Sequence, residues 1–135
     1  MRDTSSAVTT EENKQVVSRL IDEVINGGDL DAVAELCDAA IADGARGWIA
    51  PFREAFPDVH METVDLVAEG ERVAGRFKCS ATHTGSWGGN PPSGRRFEDV
   101  DEVYFFSVRE GRITEMWGLE DTISRIRQLG IGAAT

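Results

Sequence analysis

The sequence predicts an α+β domain in which helices come first and an antiparallel sheet follows. Its length of 135 residues suits one domain with its own core. Up to Phe56 the apolar residues recur with helical spacing, and after Pro57-Asp58 they alternate as they do in strands. The short turns Glu69-Gly70 and Glu110-Gly111 separate alternating segments, so we expect neighbouring strands to pair as hairpins.

The first helix is predicted to follow a flexible tail of residues 1–8 and to open a single domain over residues 9–131. Thr9 and Glu12 have the spacing of a capping box, in which each side chain bonds the backbone N–H group of the other residue. The sequence Asn26-Gly27-Gly28 is expected to end this helix, since glycine suits the left-handed backbone of a helix C-terminus.

Two more helices are predicted before the sheet. Asp29 is a suitable N-cap for the second helix, which Gly44 is expected to stop. The third helix is shorter and carries Trp48 and Phe52, with Pro51 in its first turn, where proline removes no helical hydrogen bond.

The rest of the chain is predicted to form four strands and a closing helix. The strands cover residues 59–68, 72–84, 95–109 and 112–119, and a Gly/Pro-rich loop over residues 85–94 joins the middle two. After Asp121, an amphipathic helix is expected to turn three apolar residues inward and to end at Gly130. These residues are Ile123, Ile126 and Leu129.

The third strand is apolar on both faces towards its end. Tyr104 and Phe106 lie on one face, and Val103 and Phe105 lie on the other. A sheet with one solvated side would alternate apolar and polar residues. We therefore expect one face to pack on the helices and the other to meet a second copy of the chain, which predicts a homodimer through the sheet.

The last hairpin predicts which side chains could form a site. A two-residue turn places Tyr104 opposite Trp117, so that both share a face with Glu102. If the last strand continues by two residues, Asp121 joins them, and an acid beside aromatic rings can act as a general acid or base. The alternative is that Asp121 only caps the following helix by accepting backbone N–H bonds.

Other polar and aromatic candidates also have two interpretations. His83 continues the apolar face of the second strand, either as a proton carrier or as a core histidine. Trp87 lies among glycines, either as a lid over a ligand or as an anchor for its loop. The acidic run over residues 98–102 is interpreted as a solvated strand edge. His60 and His83 lack acidic partners at ligand spacing, so we expect no metal site.

The composition excludes several partners and compartments. The 24 acidic residues outnumber the 14 basic ones, for a net charge of −10, so neither nucleic acid nor an anionic membrane is expected as a partner. No apolar run is long enough to cross a membrane, and the first residues lack the apolar core of a signal peptide. Two separated cysteines predict no disulfide framework. The prediction is a reduced, cytoplasmic protein.

Six stretches resemble, in order and spacing, the SnoaL-like polyketide cyclases of the ketosteroid-isomerase-like superfamily. They are FREAFPDV (52–59), AEGERVAGRF (68–77), ATHTG (81–85), PPSGRR (91–96), REGRITEMW (109–117) and QLG (128–130). The resemblance extends over roughly residues 10–131. It implies a cone-shaped fold in which a curved antiparallel sheet wraps the N-terminal helices around a deep apolar pocket, usually in a dimer.

The resemblance also implies a reaction and a site. Described members of the family close the last ring of aromatic polyketides by an intramolecular aldol reaction, without a cofactor, and a carboxylate moves the protons. By position this carboxylate is Asp121, and His83 would orient it or polarise a carbonyl. The expected partner is a hydrophobic aromatic small molecule held by aromatic walls. These walls are Trp117, Tyr104, Trp87, Phe77 and Phe52.

Three alternatives to cyclisation follow from the same resemblance. Some relatives are cofactor-free hydroxylases, others open epoxides, and a dimer that binds a ligand without catalysis fits the same fold. The chain also departs from its relatives, because residues 37–46 contain no histidine and Met116 stands where relatives often have one.

Overall fold

The computed structural model describes residues 4–132, with side chains from Thr9 onwards. Its helices are α1 (Thr4–Arg19), α2 (Val33–Leu36), α3 (Ala39–Ala55) and α4 (Thr122–Leu129). Its strands are β1 (His60–Glu69), β2 (Arg72–Thr82), β3 (Arg96–Arg109) and β4 (Arg112–Glu120). A π-helical segment, Leu20–Asn26, extends α1, and a 3-10 turn, Leu30–Ala32, precedes α2. No helix in this part of the chain is both long and apolar enough to cross a membrane.

Helix α1 begins earlier than predicted. It starts at Thr4, so Thr9 lies inside the helix and the predicted capping box is wrong. Neither glycine nor proline interrupts residues 4–10, and the helix therefore continues through them. The helical segment ends at Asn26, as predicted, and Gly28 follows with a φ of 78°. Residues 1–3 of the predicted tail lie outside the described residues, and the flexibility of the tail stays a prediction.

The boundary between the second and third predicted helices is also different. Helix α2 ends at Leu36, because the extended Cys37 forms a parallel bridge to Ile113 of β4. Asp38 then caps α3 by accepting a hydrogen bond of 2.9 Å from the backbone N–H group of Ala40. The prediction that Gly44 stops a helix is wrong, since α3 runs through Gly44 and also through Pro51.

The four strands form one curved, antiparallel sheet in the order β1-β2-β3-β4, which confirms the predicted meander and the α+β class. Its inner face packs on the helices, as shown by buried residues from both layers. Val73, Phe77, Val100 and Phe106 of the sheet share one core with Leu20, Ile21 and Ile49 of the helices.

The pairing of β3 with β4 differs from the predicted register, while the role of Trp117 as a substrate wall stays a prediction. Val108 lies opposite Ile113, as predicted, but Ser107 pairs with Glu115 and leaves Thr114 without a partner in the ladder. This bulge shifts the remaining pairs by one residue, and a shift of one residue exchanges the two faces of a strand. Trp117 therefore lies opposite Phe105 on the outer face, and its predicted pairing with Tyr104 is wrong.

Candidate active site

A cleft of about 530 Å³ lies between α3 and the inner face of β3 and β4. Helix α3 contributes Gly44 and Trp48, and the sheet contributes Tyr104, Met116, Gly118 and Glu120. This volume falls within the range of about 300–1,000 Å³ that is typical of small-molecule sites. The family resemblance predicts a deep, apolar pocket. The structure shows this cleft, and its depth and apolar character stay a prediction.

A second cavity of about 430 Å³ adjoins the first. Trp48 and Glu120 line both cavities, so they mark the place where the two meet. Phe52 and Trp87, two of the predicted aromatic walls, line the second cavity. The Trp87 ring also packs edge-on against Phe56, with the ring centroids 5.5 Å apart, so this residue both anchors its loop and faces the cavity.

Tyr104 reaches the cleft because glycines flank it in the sheet. It pairs with Gly75 on β2 and with Gly118 on β4. A Cβ atom on Gly118 would lie only 2.1 Å from Cδ1 of Tyr104, so the ring lies across the space that a side chain would need. The ring is nearly parallel to that of Trp48, at 13°, with centroids 6.3 Å apart. The predicted wall residue Tyr104 is thus in the cleft.

A buried arginine joins two carboxylates below the cleft. Nη2 of Arg125 donates to Oε2 of Glu102 at 2.7 Å, and Nη1 donates to Oε1 of Glu120. The hydroxyl of Tyr104 donates to Oε1 of Glu102 at 2.8 Å. Aromatic rings surround the guanidinium, with the centroid of Phe97 4.7 Å from Cζ. The structure therefore contains a continuous hydrogen-bonded network that runs from Tyr104 to Glu120.

Sequence patterns missed this arginine. The sequence predicts that the closing helix buries Ile123, but Ile123 is 62% exposed, and Arg125 of the same helix is fully buried. The prediction of a solvated acidic edge over residues 98–102 is likewise wrong for Glu102, which is buried. Arg125 is a charged residue on the inward side of this helix. Nothing in the sequence of the helix indicates that carboxylates on other elements contact it.

Burial and charge set the protonation of this network. Burial raises the pKa of Glu102, the charge of Glu120 raises it further, and Arg125 and the Tyr104 hydroxyl oppose this rise. Burial alone would lower the pKa of Arg125, but the two carboxylates raise it on balance. Burial also raises the pKa of Tyr104 and of the neighbouring Cys79 thiol, so both keep their protons.

We expect Glu102→Gln to remove a pH dependence of stability. Because the pKa of Glu102 is higher in the folded than in the unfolded chain, the folded state holds a proton that unfolding releases. The free energy of unfolding of the wild type should therefore fall as pH rises from the ordinary glutamate pKa through the raised one. Urea titrations between pH 4.5 and 8 measure this slope. The exposed Glu62→Gln is the control, and an unchanged slope in Glu102→Gln would contradict the assignment.

Asp121 caps α4 and does not line either cavity. Its Oδ1 accepts a hydrogen bond of 3.0 Å from the backbone N–H group of Ser124, and the residue is exposed. The structure thus confirms the helix-cap interpretation, while the proton-transfer role implied by the resemblance stays a prediction. The carboxylate that lines both cavities belongs to the preceding residue, Glu120, which sequence reasoning missed.

His83 and Phe77 lie in the core, away from both cavities. The His83 Nδ1 atom accepts a hydrogen bond of 3.1 Å from the backbone N–H group of Ser93 and lies 2.9 Å from its hydroxyl. Nε2 is buried and has no hydrogen-bond partner among the described residues. Phe77 is fully buried, with its ring centroid 5.9 Å from that of Tyr104. The catalytic role predicted for His83 and the substrate contact predicted for Phe77 stay predictions.

The family model and the two relatives that match this chain are all described as cyclases. The family model described as SnoaL-like polyketide cyclase matches residues 15–129. The aklanonic acid methyl ester cyclase DauD of Streptomyces sp. strain C5 is 26% identical over 125 residues, which cover 92% of this chain and 75% of DauD. The aklanonic acid methyl ester cyclase DnrD of Streptomyces peucetius is 27% identical over 109 residues, which cover 80% of this chain and 72% of DnrD.

Solved structures agree with this fold. IdmH of Streptomyces antibioticus has a TM-score of 0.76 at 29% identity, over 88% of this chain and 99% of IdmH. A protein of Jannaschia sp. CCS1 has a TM-score of 0.84 at 21% identity, over 97% of this chain and 98% of its own. The second likeness supports the fold alone.

Proposed function

The chain belongs to the SnoaL-like polyketide cyclase family, and from this premise we propose that it closes a ring of a polycyclic aromatic polyketide by an intramolecular aldol reaction. The relatives DauD and DnrD are aklanonic acid methyl ester cyclases, so the proposed substrate is a methyl ester of that chemical class. The observation that carries the proposal is the cleft between α3 and the sheet, where aromatic rings and a carboxylate face the same space.

The chemistry needs proton transfer and no cofactor. A base removes a proton from the carbon beside one carbonyl, that carbon bonds to the carbon of a ketone, and the ketone oxygen takes up a proton to become a hydroxyl. Every atom of the substrate is kept. The conjugated aromatic substrate spreads the charge of the enolate, so a positioned carboxylate suffices as acid and base. Trp48 and Tyr104 present flat rings on which such a substrate can stack.

The test uses aklanonic acid methyl ester with the purified protein. We expect a product of unchanged mass with a shifted retention time and absorbance spectrum, measured by liquid chromatography with mass spectrometry. A product that gains one oxygen while O₂ is consumed would instead identify a hydroxylase. A gain of one water on an epoxide substrate would identify an epoxide-opening enzyme. Binding without conversion would identify a ligand-binding protein, and each of these results would overturn the proposal.

A homodimer through the sheet is part of the proposal. The outer face of β3 and β4 carries Phe105, which is 40% exposed, Trp117, which is 58% exposed, and Leu119, which is 65% exposed. An ion pair between Arg76 and Asp101, 3.1 Å apart, lies on the neighbouring strands β2 and β3. Exposed apolar residues on a sheet face, beside polar and charged ones, have the composition of a homodimer interface, so we propose a second copy of the chain as the partner.

We expect Trp117→Glu to convert this dimer into a monomer, because the new charge would be buried without a partner at the interface. Sedimentation velocity at micromolar concentration measures the change. Ile123→Glu on α4 is the matched control, since Ile123 is similarly exposed at 62% but lies away from the sheet face. A wild-type monomer, or a Trp117→Glu dimer as stable as that of the wild type, would contradict the proposal.

The two cysteines support a reducing compartment. Cys37 and Cys79 are both buried and free. Free buried thiols are typical of proteins that stay in reducing surroundings, and we therefore propose the cytoplasm as the site of action.

A further inference from the structure

Trp48 and Glu120 lie at the junction of the two cavities, and neither belongs to the residues that the family resemblance implies. We propose that Glu120 determines specificity: it selects polycyclic aromatic substrates that carry a free hydroxyl group beside the ring stacked on Trp48. This proposal rests on the cyclase function proposed above and names a feature of its substrate. Proton transfer is a separate role, and it stays predicted for Asp121.

The direction of strand β4 brings Glu120 into this junction. Successive side chains of a strand point to opposite faces of the sheet. Met116, Gly118 and Glu120 all line the cleft, and the intervening Leu119 is 65% exposed on the outer face. The bulge at Thr114 sets which residues of β4 point inward. The carboxylate of Glu120 therefore faces the space that a substrate would occupy.

One oxygen of the Glu120 carboxylate is held and the other is open. Oε1 accepts a hydrogen bond from Nη1 of Arg125, whereas Oε2 accepts none from the residues that the structure describes. The Glu120 side chain is 36% exposed, so a ligand can reach it. Because an ionised carboxylate accepts hydrogen bonds and donates none, the open oxygen matches a ligand group that donates one. An ether oxygen at the same place would set two acceptors against each other.

The rest of the hydrogen-bonded network offers a ligand no comparable group. Glu102 is 4% exposed, and its Oε1 and Oε2 already accept hydrogen bonds from Tyr104 and Arg125. Arg125 is fully buried. Its guanidinium contacts Glu120, so a cationic donor bound to Glu120 would meet a second positive charge. A neutral hydroxyl is therefore the donor that fits Glu120 best.

Trp48 determines where such a hydroxyl would lie. Its side chain is 38% exposed and lines both cavities, so its ring offers an open face on which a flat substrate can stack. The substituents of a stacked ring point outward from its edge, and Glu120 lines the same two cavities. A site built to bind a hydroxyl rejects the analogue that lacks it, because the polar group of the site is then left unpaired. Stacking on Trp48 thus places the substrate, and Glu120 selects among substrates of the same shape.

The binding experiment compares 2-hydroxyanthraquinone with 2-methoxyanthraquinone by equilibrium dialysis at pH 6, where the hydroxyl keeps its proton. The two probes share three flat rings and differ in whether the oxygen can donate. We expect the wild type to bind the hydroxyl compound tighter by about 10-fold or more, since a hydrogen bond to a charged group is among the strong ones. This comparison needs no variant, so it does not depend on how a substitution affects folding.

Glu120→Gln should abolish that preference. Its amide oxygen can still accept from Arg125, and its NH₂ group then faces the cavity and can donate to either a hydroxyl or a methoxy oxygen. We expect the two probes to bind this variant within about 2-fold of each other. Glu62→Gln is the matched control, because it removes the same charge from an exposed position on β1 that lines neither cavity. It should keep the wild-type preference.

Kinetics with aklanonic acid methyl ester separate substrate selection from proton transfer. We expect Glu120→Gln to raise KM by about 10-fold and to leave kcat within about 3-fold of the wild type, the pattern of a lost binding contact. Asp121→Asn keeps a helix cap and should instead lower kcat, since the resemblance assigns proton transfer to this residue. A loss of kcat at unchanged KM in Glu120→Gln would overturn its role in specificity.

The two sets of results also separate this proposal from the cyclase proposal. Ring closure by a wild type that binds both probes equally, or the same preference in Glu120→Gln and wild type, would overturn the role of Glu120 alone. A preference for the hydroxyl that Glu120→Gln loses, without ring closure of the ester by the wild type, would overturn the cyclase proposal and keep hydroxyl recognition. A wild type that neither binds the probes nor converts the ester overturns both.

Discussion

Replacing Arg125 by methionine is expected to destabilise the fold by about 3–5 kcal/mol at pH 8, because removing one partner of a buried ion pair leaves charge without compensation. Arg125 is fully buried and contacts Glu102 and Glu120. Methionine fills a similar volume among the aromatic rings. The loss in the free energy of unfolding therefore reflects the missing charge more than a new cavity. Chemical denaturation followed by circular dichroism measures the difference.

The cost of this substitution should depend on pH. The pKa of Glu102 is already raised, and without Arg125 it would rise further, so proton uptake relieves the repulsion as pH falls. We expect a smaller destabilisation at pH 5 than at pH 8. Adding Glu102→Gln to Arg125→Met should recover part of the loss at pH 8, which a double-mutant cycle measures.

A matched control distinguishes the buried arginine from an ordinary one. Arg127 is exposed two residues further along α4, and Arg127→Met should change stability by no more than about 0.5 kcal/mol. If Arg125→Met were as stable as Arg127→Met at pH 8, the network would contribute nothing to the fold.

The order of elements was predictable because hydrophobic periodicity is a local property. The change from helical to alternating spacing after Pro57 correctly predicted helices before a meander, and the turn at Glu110-Gly111 predicted the last hairpin. The faces of β4 were not predictable in the same way. One unpaired residue, Thr114, exchanges them, and whether a strand takes up a bulge depends on how the finished sheet packs.

The burial of the charged residues was even harder to predict from the sequence than the faces of β4. Arg125 looks like a solvated helix residue in the sequence, and its burial depends on carboxylates that two other elements bring to it. The family resemblance indicates Asp121, whose role stays a prediction, whereas the inward direction of Glu120 appears only with the three-dimensional register. Three of the five predicted aromatic walls line the two cavities, whereas Phe77 lies in the core and Trp117 lies on the outer face.

Filling the first cleft from α3 is expected to lower activity sharply without harming the fold. Gly44 lies in the middle of α3 and lines the cleft, and no heavy atom lies within 4 Å of where its Cβ would be. A leucine there would project into the cleft, while the helix gains because leucine favours helix over glycine by roughly 0.5–1 kcal/mol. We expect kcat/KM of Gly44→Leu to fall by about 100-fold or more, since a displaced substrate loses its alignment with the groups that line the cleft.

Gly47 offers the matched control for this substitution. It lies on the same helix, a Cβ there would also meet open space, and it does not line the cleft. Gly47→Leu should therefore gain the same helical stability and keep the wild-type kcat/KM, so stability and activity separate between the two variants. Thermal unfolding and steady-state kinetics on the same preparations measure both quantities. Wild-type activity in Gly44→Leu would place the reaction outside this cleft, and equal losses in both variants would assign the effect to the helix and not to the space beside it.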